Sequence, residues 1–205
     1  MPGDQFYYSI KEPVRARFTV SGSRFIATLA PAASVEEALD FVDTIKAEFH
    51  DATHNTYAYR IGAGSSLQER AHDNREPAGT AGQPMLQALQ GANISDAVVV
   101  GTRYFGGVKL GLGGLTRAYR NCVRESLALA TLVERVPRVR FRIDAAYAAL
   151  GAVTRHIESL SGEIISVEYG ESVVVTASLP ERLAEEASGG LEELLRGHGS
   201  LQRLD

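Results

Sequence analysis

Beyond Pro137 the chain runs through a strand at 138–145, a helix at 149–160, two strands at 163–168 and 172–179 around a Tyr169-Gly170 turn, a helix at 181–196 and a short terminal segment. That βαββαβ order constrains the fold more than any other feature, because it is the order of a ferredoxin-like sandwich. It divides the chain into a first domain at 1–136 and a ferredoxin-like domain at 137–205. An α+β protein of two domains is therefore expected.

The first domain reads as a hairpin of strands at 16–20 and 24–29, then a helix at 35–49. Ser34 and Glu37 have capping-box spacing, and Ala38, Val42, Ile45 and Phe49 recur at helical intervals, so one face of that helix should be buried. A strand at 55–61 runs into a glycine-bearing loop at 62–66. Pro84 suits the first turn of a helix ending near Gly91. A buried strand at 96–104 follows, and an amphipathic helix is predicted over 116–133, with Arg117, Arg120 and Arg124 on its polar side.

No run approaches the roughly 20 apolar residues that span a bilayer, and no signal peptide is evident, so a soluble, cytoplasmic protein with no membrane partner is expected. The single cysteine, Cys122, agrees with a reducing compartment and reads as a packing residue. The formal net charge of -4 argues against nucleic acid, but the distribution argues the other way. From His54 to Arg124 there are eight Lys or Arg against four acids, whereas from Pro137 onward there are seven Arg against eleven acids. A basic middle predicts an anionic ligand, and an acidic end suggests a protein partner.

Between the predicted strand ending at Tyr104 and the predicted helix lie Gly106, Gly107, Gly111, Gly113 and Gly114. A strand, a glycine loop and a helix start is the general layout of a phosphate site. The specific signatures fail. A phosphate-binding P-loop requires Lys after its last glycine, and Leu112 follows Gly111; a dinucleotide fingerprint requires Gly where Thr116 stands. The glycines either leave amides free for an anion or let the backbone pack closely.

A second polar cluster runs from Asp73 to Pro84, where Thr80 or Gly82 is placed to cap a helix. Asp73 and Glu76 form a candidate acid/base pair, against which stands an ordinary ion pair with Arg75. His50 and His54 are four apart, but with no third ligand a structural role is expected, and no metal, cofactor or catalytic set is predicted.

The stretches Ser23–Ala27, Asp51–Arg60, Glu76–Pro84 and Thr102–Gly111 through Arg117-Ala118-Tyr119 together resemble the IMPACT family, in its bacterial YigZ branch. The resemblance implies a first domain with the α/β sandwich of a small-subunit ribosomal protein's second domain and of the fourth domain of elongation factor G. It implies a second domain like that factor's fifth. Eukaryotic relatives regulate translation through a binding domain with no counterpart in this sequence, so their mode of action is not expected here. For bacterial members the resemblance implies association with RNA or the ribosome. The family's acidic loop reads Asp-Asp-Gly-Glu-Pro-Ser-Gly; here Asn74 and Arg75 replace its second Asp and its Gly, and Thr56 stands where Cys is common. Loss of a carboxylate and gain of a cation favour anion binding.

The resulting expectation is a non-enzymatic protein acting in regulation of translation. Arg103, Lys109 and Arg117 would contact RNA or ribosomal phosphates, and Arg60 and Arg75 would extend the patch. Tyr104 and Phe105 would stack on bases if exposed, although Phe105 is expected in the core. The alternative is an enzyme using Asp73, Glu76, His54 and Arg103 on a phosphorylated or peptide-like small molecule.

Overall fold

A computed structural model describes residues 6–195 and 197–204. The chain divides into two compact units, 7–135 and one reaching from Val136 to the C-terminal end.

The first unit contains β1 (Tyr7–Ile10), β2 (Val14–Val20), β3 (Ser23–Pro31), α1 (Val35–Glu48), β4 (His54–Ile61), β5 (Gln68–His72), α2 (Gly82–Gly91), β6 (Ala97–Tyr104), α3 (Gly111–Leu127) and β7 (Leu132–Arg135). Five strands form one antiparallel sheet in the order β2-β3-β6-β4-β5. Strand β6 is covered on both faces, which explains its unbroken apolar run. Val99 joins Phe25, Leu29, Met85, Leu89 and Tyr119 under α2 and α3, whereas Val98 and Val100 join Tyr57, Tyr59, Val42 and Ile45 under α1. Ser34 caps α1 as its spacing predicts, its Oγ accepting from the Glu37 amide at 3.1 Å.

Two short strands, β1 and β7, pair with each other apart from that sheet, and β5 forms its edge. None of β1, β5 and β7 is legible in the sequence: residues 132–133 are expected in the helix over 116–133, which ends at Leu127, and Gln68–His72 is polar and largely exposed. Its strand form comes from pairing with β4, not from a hydrophobic pattern.

The second unit contains β8 (Arg138–Ala145), α4 (Leu150–Ser159), β9 (Glu163–Tyr169), β10 (Val173–Pro180), α5 (Ala184–Leu195) and β11 (Gly199–Arg203). Its antiparallel sheet has the order β11-β8-β10-β9, with the first and third strands central, as a ferredoxin-like sandwich requires. Val139, Phe141 and Ile143 alternate inward against Val153, Ile157 and Leu191 of the helices. The terminal segment is the fourth strand. Arg196, at the predicted end of the last helix, lies outside the described residues.

Candidate nucleic-acid interface

Antiparallel pairing of β4 with β6 sets His54 opposite Arg103 at one end of the main sheet. Two loops meet there. The first, from Asp73 to Ala81, is held by its own carboxylate: Asp73 accepts from the amides of Gly79 (2.7 Å), Ala81 (3.0 Å) and Gly82 (2.9 Å). Asp73 thus caps the start of α2, where the N-cap residue Ala81 has no side chain able to do so. This replaces the capping expected of Thr80, whose hydroxyl instead donates to the Pro77 carbonyl.

Glu76 turns inward. Its Oε1 accepts from Arg103 Nη1 at 2.9 Å and from the Tyr119 hydroxyl at 2.6 Å, and its Oε2 lies 3.8 Å from His54 Nε2. The partner expected in sequence, Arg75, is exposed and makes no ion pair among the described residues. Glu76 and Arg103 are 7% and 5% exposed, so each is a buried charge that the other neutralises at close range. His54 Nδ1 donates to the Asn74 carbonyl at 2.9 Å, which leaves Nε2 directed toward the carboxylate. Burial first, then the hydrogen bond to Glu76, pushes the Tyr119 phenol far above its ordinary range. Burial does the same to the Cys122 thiol, which packs in the core beneath α2 and α3. Asn74 and Arg75 both have left-handed backbone, at φ +42° and +67°. A glycine would suit that conformation better than Arg75 does.

The second loop joins β6 to α3. Gly106 is required for close approach: a Cβ there would fall 2.0 Å from the carbonyl of Gly22. Gly107 and Gly111 are required for their left-handed backbone, φ +85° and +68°. Gly113 and Gly114 correct the expected loop, because α3 begins at Gly111 and includes both. The predicted start at Thr116 was late because glycine is a poor helix former; here α3 packs Leu115, Ala118 and Tyr119 into the core, and tertiary burial overrides propensity.

Around this loop the five predicted anion-binding cations separate into different groups. Arg60 lies six residues along β4 from His54, about 20 Å away, and is bound to Glu69 (2.6 Å) and the Ile94 carbonyl (2.8 Å). Arg103 is spent on Glu76. Lys109, Arg117 and Arg75 remain exposed, and Arg120 and Arg124 continue the row along the solvent face of α3. None of these five has an ion-pair or hydrogen-bond partner among the described residues. The first turn of α3 contains no acid and no side-chain cap, and a Cβ placed on Gly113 would lie 3.6 Å from Arg117 Nη1.

Phe105 is 48% exposed, not in the core. Its amide is taken by Thr53 Oγ1 (3.1 Å) and that of Gly106 by Ser23 Oγ (3.3 Å), so the chain leaves the sheet and carries the ring outward. Tyr104 is partly covered, its hydroxyl bound to Asp51 (2.6 Å) and its ring under the Arg24 guanidinium. Ser23, Thr53 and Tyr119 were not singled out as site residues. The usable signal was that Tyr119 sits on the buried face of its helix, where its hydroxyl needs a polar partner.

Residues 21–127 match the Impact N-terminal domain, and residues 143–198 match a domain of unknown function (DUF1949). The chain is 35% identical over 196 residues to the IMPACT family member YvyE of Bacillus subtilis, covering 96% of this chain and 90% of that protein. It is 36% identical over 193 residues to the IMPACT family member YigZ of Escherichia coli, covering 94% of each. A crystal structure of a hypothetical protein, 33% identical, covers 98% of both chains with a TM-score of 0.70. With a matching model over each domain and relatives similar along nearly the whole length, this chain belongs to the IMPACT family and is of the YigZ type.

Proposed function

We propose that the protein binds RNA, free or within the ribosome, through the glycine loop and the exposed face of α3, and acts in regulation of translation. The observation that carries this reading is the row Lys109, Arg117, Arg120 and Arg124: four exposed cations without an acid among the described residues to pair them. From Arg117 to Arg124 the helix rises about 10 Å, a span over which successive phosphates of one strand can be met. The acid-free helix start adds amides and a positive dipole end. The link to translation comes from the family resemblance.

The enzymatic alternative has less support. Asp73 holds three amides and Glu76 is held by Arg103 and Tyr119, so both carboxylates are committed to contacts that order the loop. Salt-dependent RNA binding and ribosome sedimentation test the proposal, using the protein alongside Lys109→Glu and Arg120→Glu. Binding that weakens steeply with salt and is lost in these variants is expected. No binding at low salt, or binding insensitive to salt, would reject it.

A further inference from the structure

Resting on that RNA-binding reading, we infer that the ligand is a single strand, and that Phe105 is a preset platform on which one of its bases stacks. The residue is 48% exposed and opens the loop between β6 and α3, four positions before Lys109, where the row of free cations begins. Its backbone is fixed on two sides, by Thr53 Oγ1 and Ser23 Oγ. The ring itself is backed from the interior: the Arg103 guanidinium lies 5.5 Å from its centroid and 5.7 Å from that of Phe25, which stacks on Phe18 at 5.3 Å. Arg103 is in turn locked by Glu76 and by Ser23 Oγ at 3.2 Å.

The ring therefore lies near a guanidinium that also neighbours the core ring of Phe25, while nearly half of the residue stays open to solvent. A half-exposed aromatic ring held this firmly loses little freedom when a planar ligand covers it. In a duplex the bases already stack on one another and present only edges in the grooves; an A-form major groove is too deep and narrow for side chains to read. Only an unstacked base offers the face that an exposed phenyl ring meets. Sequence-tolerant binding follows, because every base has such a face and the cations contact phosphates alone. Val108 and Leu112, 55% and 64% exposed, add apolar surface to the segment that follows Phe105.

The chain contains no tryptophan, so Phe105→Trp introduces a single emitter at the platform. A short labelled RNA of mixed sequence is titrated by anisotropy, single-stranded or annealed to its complement. The single strand is expected to bind more tightly and to quench the tryptophan, and the duplex to bind weakly with no quenching. Phe105→Ala should lose about tenfold affinity for the single strand while keeping its salt dependence, and Phe105→Tyr should keep the affinity. Binding without quenching, or with Phe105→Ala matching the unsubstituted protein on both ligands, overturns the platform but leaves the cation row standing. An unsubstituted protein that binds neither RNA at low salt rejects the RNA-binding reading, and the platform with it.

Discussion

Arg103 and Arg117 sit at the same end of the first unit, one on the last strand of the sheet and the other in the helix that follows. The first is sealed between a carboxylate, a hydroxyl and two rings; the second lies in solvent with no partner among the described residues. A buried guanidinium must be neutralised on the spot, because taking it from water costs several kcal/mol unless an opposite charge and hydrogen bonds replace the lost hydration. A solvated one needs nothing and stays available. The same residue type therefore serves architecture in one place and offers charge to a ligand in the other.

The sharpest way to break this contrast is Glu76→Gln, which leaves Arg103 buried without its counter-charge. A loss of about 3–5 kcal/mol is expected in urea unfolding of the first unit. A loss as small as that of a surface substitution would mean that Arg103 is not the architectural member of the pair.

Gly106→Ala should come next. A methyl cannot coexist with the Gly22 backbone 2.0 Å away, so the hairpin and loop must separate, at about 1–3 kcal/mol by the same measurement.

Tyr119→Phe removes one donor to Glu76 and should cost about 1–2 kcal/mol near neutral pH. It also has a pH signature. In the unfolded chain this phenol titrates near 10.0 and the Cys122 thiol near 9.0, while burial keeps both protonated in the fold well beyond those values. Above them the unfolded state holds fewer protons, so their contribution is intact below about pH 9 and is lost as pH rises, at up to about 1.4 kcal/mol per pH unit for each group. Tyr119→Phe should make the alkaline fall shallower. An unchanged slope would show that the phenol is not the buried acid it is taken to be.

The smallest stability effects belong to the exposed row. Lys109→Ala and Arg120→Ala should each stay within about 0.5 kcal/mol of the parent. Each should nevertheless reduce the slope of log affinity against log salt by about 0.7 to 1. Stability loss comparable with that of Glu76→Gln would erase the distinction between the two kinds of cation.

Legibility from sequence followed the range of the interactions involved. The α1 cap and amphipathic face, the buried β6 run and the βαββαβ order are local or periodic signals, and the structure contains each of them. The edge strand β5 has no such signal, and the start of α3 carried a misleading one, since glycines that look like loop became helix once Leu115 and Tyr119 were packed. At the candidate site the glycine loop was found, and its division of labour was not. Asp73 became a cap, Arg60 moved to the far end of β4, Arg103 turned inward and Phe105 turned outward.

The residues alone determined the family, the two fold patterns and the concentration of cations in the middle of the chain, because motif, period and composition are properties of the string itself. Which cation meets which acid was decided only by tertiary structure. Pairing β4 with β6 in one register puts His54 opposite Arg103, and α3 delivers the Tyr119 hydroxyl to Glu76 from 43 residues away. A charge is committed or free according to what long-range packing removes from water, and the cost of burying it unpaired selected the partner that sequence neighbourhood had assigned to Arg75.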